Sequence, residues 1–217
     1  MKLYGYFRSS AAYRVRIALN LKGFAVEHAP VHLLRGGGEQ KSDAFRALNP
    51  QGLVPALELD DGTVLSQSLA IIEYLEAVRP FPRLIPTDPI LAAKVRAVAL
   101  AIACEIHPLN NLRVLSYLKG ELGQTEPAVN EWYQHWVRDG LDAIETMIEA
   151  GPFCFGTAPT LADICLVPQV FNARRYRVDL DRFPKITAVD RHCAAIEAFA
   201  AASPGLQPDA QERSSRS

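Results

Sequence analysis

Several features that mark specialised classes of protein are scarce in this sequence. Four cysteines in 217 residues are too few and too widely spaced for a CxxC pair or a dense disulfide framework. The five histidines form no HExxH motif, and Arg8 interrupts the first hydrophobic residues before they reach the length of a signal peptide. We therefore expect reduced thiols, no metal ion and a cytoplasmic protein.

The chain also lacks an excess of charge of either sign. Its 23 Lys and Arg residues nearly balance 24 Asp and Glu residues, which gives a formal net charge of −1. Such a chain has no overall field that attracts nucleic acid or an anionic membrane, so we expect neither as a partner. Hydrophobic residues make up 49% of the sequence, which is enough for one large buried core or two smaller ones.

The hydrophobic pattern changes character along the chain. Residues 1–79 alternate in the order strand, helix, strand, helix, strand, strand, helix, which predicts a small thioredoxin-like α/β domain. Residues 80–89 contain four prolines and read as a linker. Residues 90–204 carry helical patterns and predict an all-α domain, whereas the polar residues 205–217 predict a disordered tail.

Two local signals concern helices of the all-α domain: one predicts a bend in a helix, and the other predicts the start of a helix. Pro108 lacks an N–H group and predicts a bend in the first long helix. Thr160 and Asp163 have the spacing of a capping box, in which each side chain bonds to the backbone of the other residue. They predict the start of a buried helix.

Three sites in the α/β region carry polar groups at the ends of elements. Ser9 and Ser10 stand between a strand and a helix, where a hydroxyl meets the unpaired N–H groups of the helix N-terminus. Val54-Pro55 predicts a cis bond at the head of an edge strand, which leaves the Val54 backbone open to an extended peptide. Gln67 and Ser68 predict donors for a carboxylate, with Ser68 as the helix cap. Each site taken alone also fits an ordinary cap or turn.

Together these motifs resemble those of the zeta-class glutathione transferases, the family of maleylacetoacetate and maleylpyruvate isomerases. Within the family they are most similar to the bacterial maleylpyruvate isomerases, and the resemblance covers nearly all of residues 1–204. It implies a thioredoxin-like domain followed by an all-α domain, glutathione as cofactor, and a homodimer. The matching segments are Ser9-Ser10-x-x-x-Arg14-Val15-Arg16-Ile17-Ala18-Leu19, Asn49-Pro50 with Val54-Pro55, Gln67-Ser68-Leu69-Ala70-Ile71-Ile72-Glu73-Tyr74-Leu75, and Leu166-Val167-Pro168-Gln169-Val170.

The resemblance also implies which residues bind glutathione. It implies that Ser9 or Ser10 activates the sulfur and that Val54, with Pro55, pairs with the cysteinyl backbone. The γ-glutamyl end of glutathione would then be held by Gln67 and Ser68.

Two positions depart from the family pattern. Ala11 stands where the family usually has cysteine, which removes a thiol from the site. Leu53 stands where related transferases carry a basic residue. Gln51 is then the candidate for binding the glycine carboxylate of glutathione.

The substrates that the resemblance implies are cis enediones with a carboxylate at each end. Guanidinium groups suit such substrates because they bind carboxylates in a bidentate manner. Arg8, beside the serines, is one candidate, and the resemblance places Arg175 over the substrate pocket. His107 and Asn111 are candidates to line the cleft near glutathione, and Arg113 to line it near the substrate, although His107 also fits a packing role.

Two other functions stay open on the sequence alone. A general transferase would use the same thiolate to make a stable thioether with an electrophile. A non-catalytic binding module would have lost the activating hydroxyls, and this chain retains Ser9, Ser10 and Ser68. The residues therefore favour an enzyme.

Overall fold

The computed structural model describes residues 1–211, which form two compact units. The first unit contains Met1–Arg83 together with residues 196–211, and the second contains Leu84–Ala195. The structure therefore begins the helical unit within the proline-rich segment that we predicted as a linker. It also assigns the last helices to the α/β unit, whereas the sequence placed them in the all-α domain.

A mixed sheet of four strands forms the centre of the first unit. The strands are β1 (Lys2–Gly5), β2 (Glu27–Pro30), β3 (Ala56–Glu58) and β4 (Val64–Ser66), in the spatial order β2-β1-β3-β4. β1 pairs parallel with β2 and antiparallel with β3, and β3 pairs antiparallel with β4. This arrangement confirms the predicted α/β class with a mixed sheet.

Helices α1 (Ser10–Lys22), α2 (Asp43–Leu48) and α3 (Ser68–Val78) complete the body of the first unit. α1 lies between the two parallel strands in the sequence and packs against α3. It ends at Gly23, whose left-handed backbone (φ 65°) lets its N–H bond to the carbonyl of Asn20 at 3.1 Å. The predicted end of the helix is therefore confirmed.

The carboxyl end of α1 is anchored by a buried ammonium group. Lys22 is 2% exposed, and its Nζ donates to the carboxylate of Glu76 on α3. The same atom donates to the carbonyls of Arg79 and Pro82 at 2.7 and 2.6 Å. The three N–H donors of the ammonium thus meet three oxygens, which joins α1 to α3 and to the segment that follows it.

The second unit is built from helices, which confirms the predicted class of this region. Its central helix is α7 (Leu161–Arg175): every residue from Leu161 to Val170 is buried, and the helix packs against α4 (Pro89–Leu100) and α8 (Pro184–Ala194). Among residues 1–211 no helix combines the length and the apolar character needed to cross a membrane. The helices of the unit are α4 (Pro89–Leu100), α5 (Leu112–Gly120), α6 (Glu126–Met147), α7 (Leu161–Arg175) and α8 (Pro184–Ala194).

The first long helix was predicted to bend at Pro108, but it ends before this residue: α4 continues as a π-helical segment, Ala101–Ile106, and residues 107–110 form a turn. The N–H of His107 bonds to the carbonyl of Ile102, five residues earlier, at 2.9 Å. A Cβ atom added to Gly140 of α6 would lie 2.3 Å from the Ile106 side chain. The π-helical segment and α6 can therefore approach this closely only because residue 140 is a glycine.

The predicted cap of α7 is present at Asp163. This carboxylate is fully buried and accepts both the N–H and the hydroxyl of Thr160 at 2.8 Å. It also accepts the N–H of Cys154 at 2.7 Å. Burial raises the pKa of Asp163, and these hydrogen bonds oppose that rise because they favour the charged form.

The chain from Ile196 returns to the first unit, where α9 (Glu197–Ala201) packs against α1. A 3₁₀ turn (Pro204–Leu206) and α10 (Pro208–Gln211) follow. The prediction of a disordered tail is therefore wrong for residues 205–211, and residues 212–217 lie outside the described part of the chain. Composition misled the prediction because this polar segment makes a hydrogen bond to a distant residue: Oδ2 of Asp209 accepts the N–H of Phe7 at 2.8 Å.

We predict that Lys22→Met lowers the free energy of unfolding by about 3 kcal/mol, because the change leaves buried oxygens without their cation. Urea unfolding followed by circular dichroism measures the effect. Lys2→Met is the matched control, since Lys2 pairs with Glu27 at 3.2 Å on the surface. Its expected cost is at most about 1 kcal/mol. Equal shifts in the two variants would contradict the anchoring role of Lys22.

Candidate active site

Strand directions bring three segments to one edge of the sheet. β1 ends at Gly5, β3 begins at Ala56 and β4 ends at Ser66. Ala56 is the register partner of both Tyr4 in β1 and Ser66 in β4. The loop after β1, the residues before β3 and the residues after β4 therefore lie side by side, and they are the three segments that the sequence singled out.

The first of these segments carries the two serines. Ser9 is the N-cap of α1, and its Oγ accepts the N–H of Ala12 at 3.2 Å. Ser10 is the first residue of the helix and is buried, whereas Ser9 is half-buried. A hydroxyl that accepts one hydrogen bond can still donate its own hydrogen, so Ser9 can cap the helix and donate to an anion at its positive end.

Arg8 precedes the serines and lies against two aromatic rings. Its guanidinium carbon is 5.0 Å from the ring centroid of Phe7 and 5.8 Å from that of Tyr6. Its Nη2 also donates to the Tyr6 hydroxyl at 3.1 Å. These contacts fix a half-buried cation next to Ser9 in the chain.

The second segment presents the backbone of Val54. The Val54-Pro55 bond is cis, as predicted. The expectation of an edge strand is wrong, because β3 lies between β1 and β4. Val54 nevertheless lies beyond the last residue pair of these strands, and its N–H and C=O bond to no group within residues 1–211. One backbone donor and one acceptor are therefore available there.

The third segment places Gln67 as the N-cap of α3 and Ser68 as the first, buried residue of that helix. The prediction that Ser68 is the cap is therefore wrong by one residue. Gln67 has φ 67° and ψ 116°, a backbone conformation that costs a residue with a Cβ atom about 1–3 kcal/mol. Its Nε2 donates to Oε1 of Gln51 at 2.8 Å, so folding brings these two predicted residues together.

Sequence reasoning missed a role for Arg14, although it lies within one of the matching motifs. Its guanidinium is buried, with 2% of the residue exposed, and Nη1 donates to the Ser68 hydroxyl at 3.2 Å. A cation of α1 is thus fixed beside the N-terminus of α3, where it adds to the positive end of that helix. The sequence signal for a buried arginine was its position between Tyr13 and Val15, two large and largely apolar residues. The structure buries both of them.

Three further candidates lie around the start of α5 in the second unit. Asn111 is the N-cap of this helix, and its Oδ1 accepts the N–H of Arg113 at 3.1 Å. His107 ends the π-helical segment, and backbone hydrogen bonds from Asn110 to His107 and from Asn111 to Pro108 close the turn between them. Arg113 is exposed on the first turn of α5.

Arg175 is the last residue of α7 and lies on a pair of stacked aromatic rings. Its guanidinium carbon is 4.9 Å from the ring centroid of Tyr176, and that ring stacks on Tyr133 with 3.5 Å between centroids. Burial raises the pKa of Tyr133, and the nearby positive charge of Arg175 opposes the rise. The exposed guanidinium therefore lies against aromatic rings.

The neighbouring arginines have other roles. Arg174 forms an ion pair with the buried Asp190 at 2.6 Å. Arg177 has a left-handed backbone (φ 58°) in the turn that ends α7, where its N–H bonds to the carbonyl of Arg174 at 3.0 Å. These different positions are consistent with Arg175 as the candidate among the three.

Comparisons with known proteins identify the family to which both units correspond. The family model of the glutathione S-transferase N-terminal domain matches residues 8–78, and that of the C-terminal domain matches residues 126–195. The maleylacetoacetate isomerase of Pseudomonas aeruginosa is 50% identical over 209 residues, which cover 96% of this chain and 98% of that protein.

Two solved structures are similar over nearly the whole chain. One is the holo structure of a maleyl pyruvate isomerase, a bacterial glutathione S-transferase of the zeta class; it is 49% identical, with a TM-score of 0.92, and the match covers 96% of this chain and 99% of that one. The other is a maleylacetoacetate isomerase from Anaeromyxobacter dehalogenans with dicarboxyethyl glutathione and citrate bound in its active site. It is 42% identical, with a TM-score of 0.87, over 100% of this chain and 96% of that one.

Proposed function

The chain belongs to the glutathione S-transferase family, in its zeta class, and on this premise we propose that it is a glutathione-dependent cis–trans isomerase. Its substrate is a cis enedione dicarboxylate of the maleylpyruvate or maleylacetoacetate type, and its product is the trans isomer. The observation that carries the proposal is Ser9, a half-buried hydroxyl at the N-terminus of α1 that follows a fixed arginine.

Glutathione fits the groups that the first unit brings to one edge of its sheet. The open N–H and C=O of Val54 suit the cysteinyl backbone of an extended peptide. The N-terminus of α3, with Ser68 and the buried Arg14, suits the carboxylate of the γ-glutamyl end. Strain at Gln67 supports a binding role because such conformations are typical of functional sites.

When bound, glutathione supplies the thiolate that adds to the cis double bond and leaves after the bond has rotated. Ser9 donates its hydroxyl hydrogen to the sulfur, and the helix dipole adds positive potential at the same point. Both effects favour the charged form, so they lower the pKa of the bound thiol. Ser10 has its hydroxyl one residue further into the helix and is more deeply buried, so we assign the main role to Ser9.

The arginines bind the substrate's carboxylates. Arg8 is held by Tyr6 and Phe7, and Arg175 lies against the ring of Tyr176. A guanidinium that is already fixed loses little conformational entropy when it binds a carboxylate, which strengthens the interaction.

The ligand of the Anaeromyxobacter dehalogenans structure supports this chemistry. A dicarboxyethyl thioether is the product expected when a thiol adds across the double bond of a four-carbon dicarboxylic acid. Its presence in a related site supports the binding of glutathione sulfur and of two carboxylates by one active site.

By the same family relationship we propose that this protein is a cytoplasmic homodimer.

The decisive experiment assays the purified protein with maleylpyruvate and with maleylacetoacetate, before and after removal of glutathione. We expect isomerisation that requires glutathione and returns it unchanged, because the thiolate is both added and eliminated. A stable thioether as the main product would instead identify a conjugating transferase. Equal isomerisation without glutathione would contradict the proposal.

We predict that Ser9→Ala raises the pKa of the bound glutathione thiol and slows isomerisation by about tenfold or more, since it removes one hydrogen bond to a charged acceptor. The thiolate absorbance at ultraviolet wavelengths, followed against pH, measures the first effect. Ser10→Ala is the matched variant and should shift the titration less. The opposite order would transfer the main role to Ser10.

We predict that Arg8→Ala and Arg175→Ala each raise the KM for the enedione by about ten- to a hundredfold, because each removes a charge-assisted bond to a carboxylate. The affinity for glutathione should change little in both variants. Arg174→Ala is the control, because Arg174 is engaged by Asp190. A KM that rises as much in this control as in Arg175→Ala would contradict the assignment of Arg175.

A further inference from the structure

The end of the described chain contacts the loop that carries Arg8 and Ser9. Oδ2 of Asp209, in α10, accepts the N–H of Phe7 at 2.8 Å, and this bond is partly buried. The two residues are 202 positions apart in the sequence. The carboxyl-terminal segment thus bonds directly to the backbone of the residue before Arg8.

Arg16 of α1 holds the other polar group of the same residue. Its Nη2 donates to the carbonyl of Phe7 at 3.0 Å, and its Nε donates to the carbonyl of Ala202 at 3.0 Å. Arg16 is 4% exposed, and burial lowers its pKa to about 10, with Asp209 opposing the change, so the guanidinium stays charged at neutral pH. Both backbone groups of Phe7 are therefore fixed by charged side chains.

This fixed residue supports the groups that act in the proposed reaction. The Phe7 ring lies under the guanidinium of Arg8, with 5.0 Å between the guanidinium carbon and the ring centroid. The N–H of Ser9 bonds to the carbonyl of Tyr6 at 2.9 Å, which ties the serine to the same turn. A shift of the Phe7 backbone would therefore move both the cation and the hydroxyl.

We propose that Asp209 is a positioning residue for catalysis, which fixes the loop from Tyr6 to Ser9 by accepting the N–H of Phe7. The carboxyl-terminal segment is then part of the catalytic scaffold of the first unit. This inference rests on the proposed function, because it takes Arg8 and Ser9 as the groups that bind substrate and glutathione.

The test compares Asp209→Ala with Asp209→Asn in the full chain. Asp209→Ala should lower kcat/KM for the enedione by between about tenfold and a hundredfold, as displaced catalytic groups commonly do. It should also raise the pKa of the bound glutathione thiol, measured by thiolate absorbance, and speed hydrogen exchange at the Tyr6–Ser9 amides of the ligand-free protein. Asp209→Asn keeps an acceptor oxygen and should remain within roughly twofold of the wild type in kcat/KM.

Asp61→Ala is the matched control. Oδ1 of Asp61 accepts the N–H of Thr63 at 2.9 Å in the turn between β3 and β4, so this variant loses a bond of the same kind away from the loop. It should leave kcat/KM, the thiolate titration and exchange at Tyr6–Ser9 unchanged.

Two results would overturn the positioning role. One is an Asp209→Ala variant with a lower unfolding temperature but unchanged kcat/KM, thiolate titration and hydrogen exchange. The other is an Asp209→Asn variant as impaired as Asp209→Ala. A wild-type protein that fails to isomerise the enedione would overturn the proposed function instead, and hydrogen exchange in the ligand-free variants would still decide whether Asp209 fixes the loop.

Discussion

The parallel pairing of β1 with β2 is the constraint on which the candidate site depends. Neighbouring parallel strands need a crossover connection, and α1 supplies it. The helix must therefore begin just beyond the end of β1, which places Ser9 at that edge of the sheet. Because β3 runs antiparallel to β1, its first residues reach the same edge, and so does the end of β4. Strand direction alone thus gathers a hydroxyl, an open peptide backbone and a second helix N-terminus.

In the proposed function, anions are recognised by local groups, as the net charge of −1 leads us to expect. The relevant cations are few and are fixed by their surroundings: Arg14 is buried beside Ser68, and Arg8 lies on the rings of Tyr6 and Phe7. Side chains that are already ordered and partly desolvated interact strongly with a bound charge, because little reorganisation accompanies binding. We therefore expect a small set of fixed groups to suffice for binding glutathione and the substrate in the proposed function.

The errors of the sequence interpretation have physical causes. Residues 205–211 read as solvated because they are polar, but the N–H of Phe7 donates to Asp209 within them, and Arg16 holds the carbonyl of Ala202 just before them. β3 reads as an edge strand because Pro55 cannot donate a ladder bond. In the structure that proline precedes the strand, so the missing donor does not affect its pairing with β1 and β4.

The sequence by itself determined the order of the elements, the two structural classes, the cis bond before β3, the serine cap at the start of α1 and the membership in a glutathione-using family. These properties depend on local patterning, capping and short motifs, which neighbouring residues specify. Only the tertiary structure decided that Gln51 meets Gln67, that Arg14 reaches Ser68 and that Asp209 holds Phe7. Contacts of this kind join residues far apart in the chain, and they exist only after the strands have paired and the helices have packed.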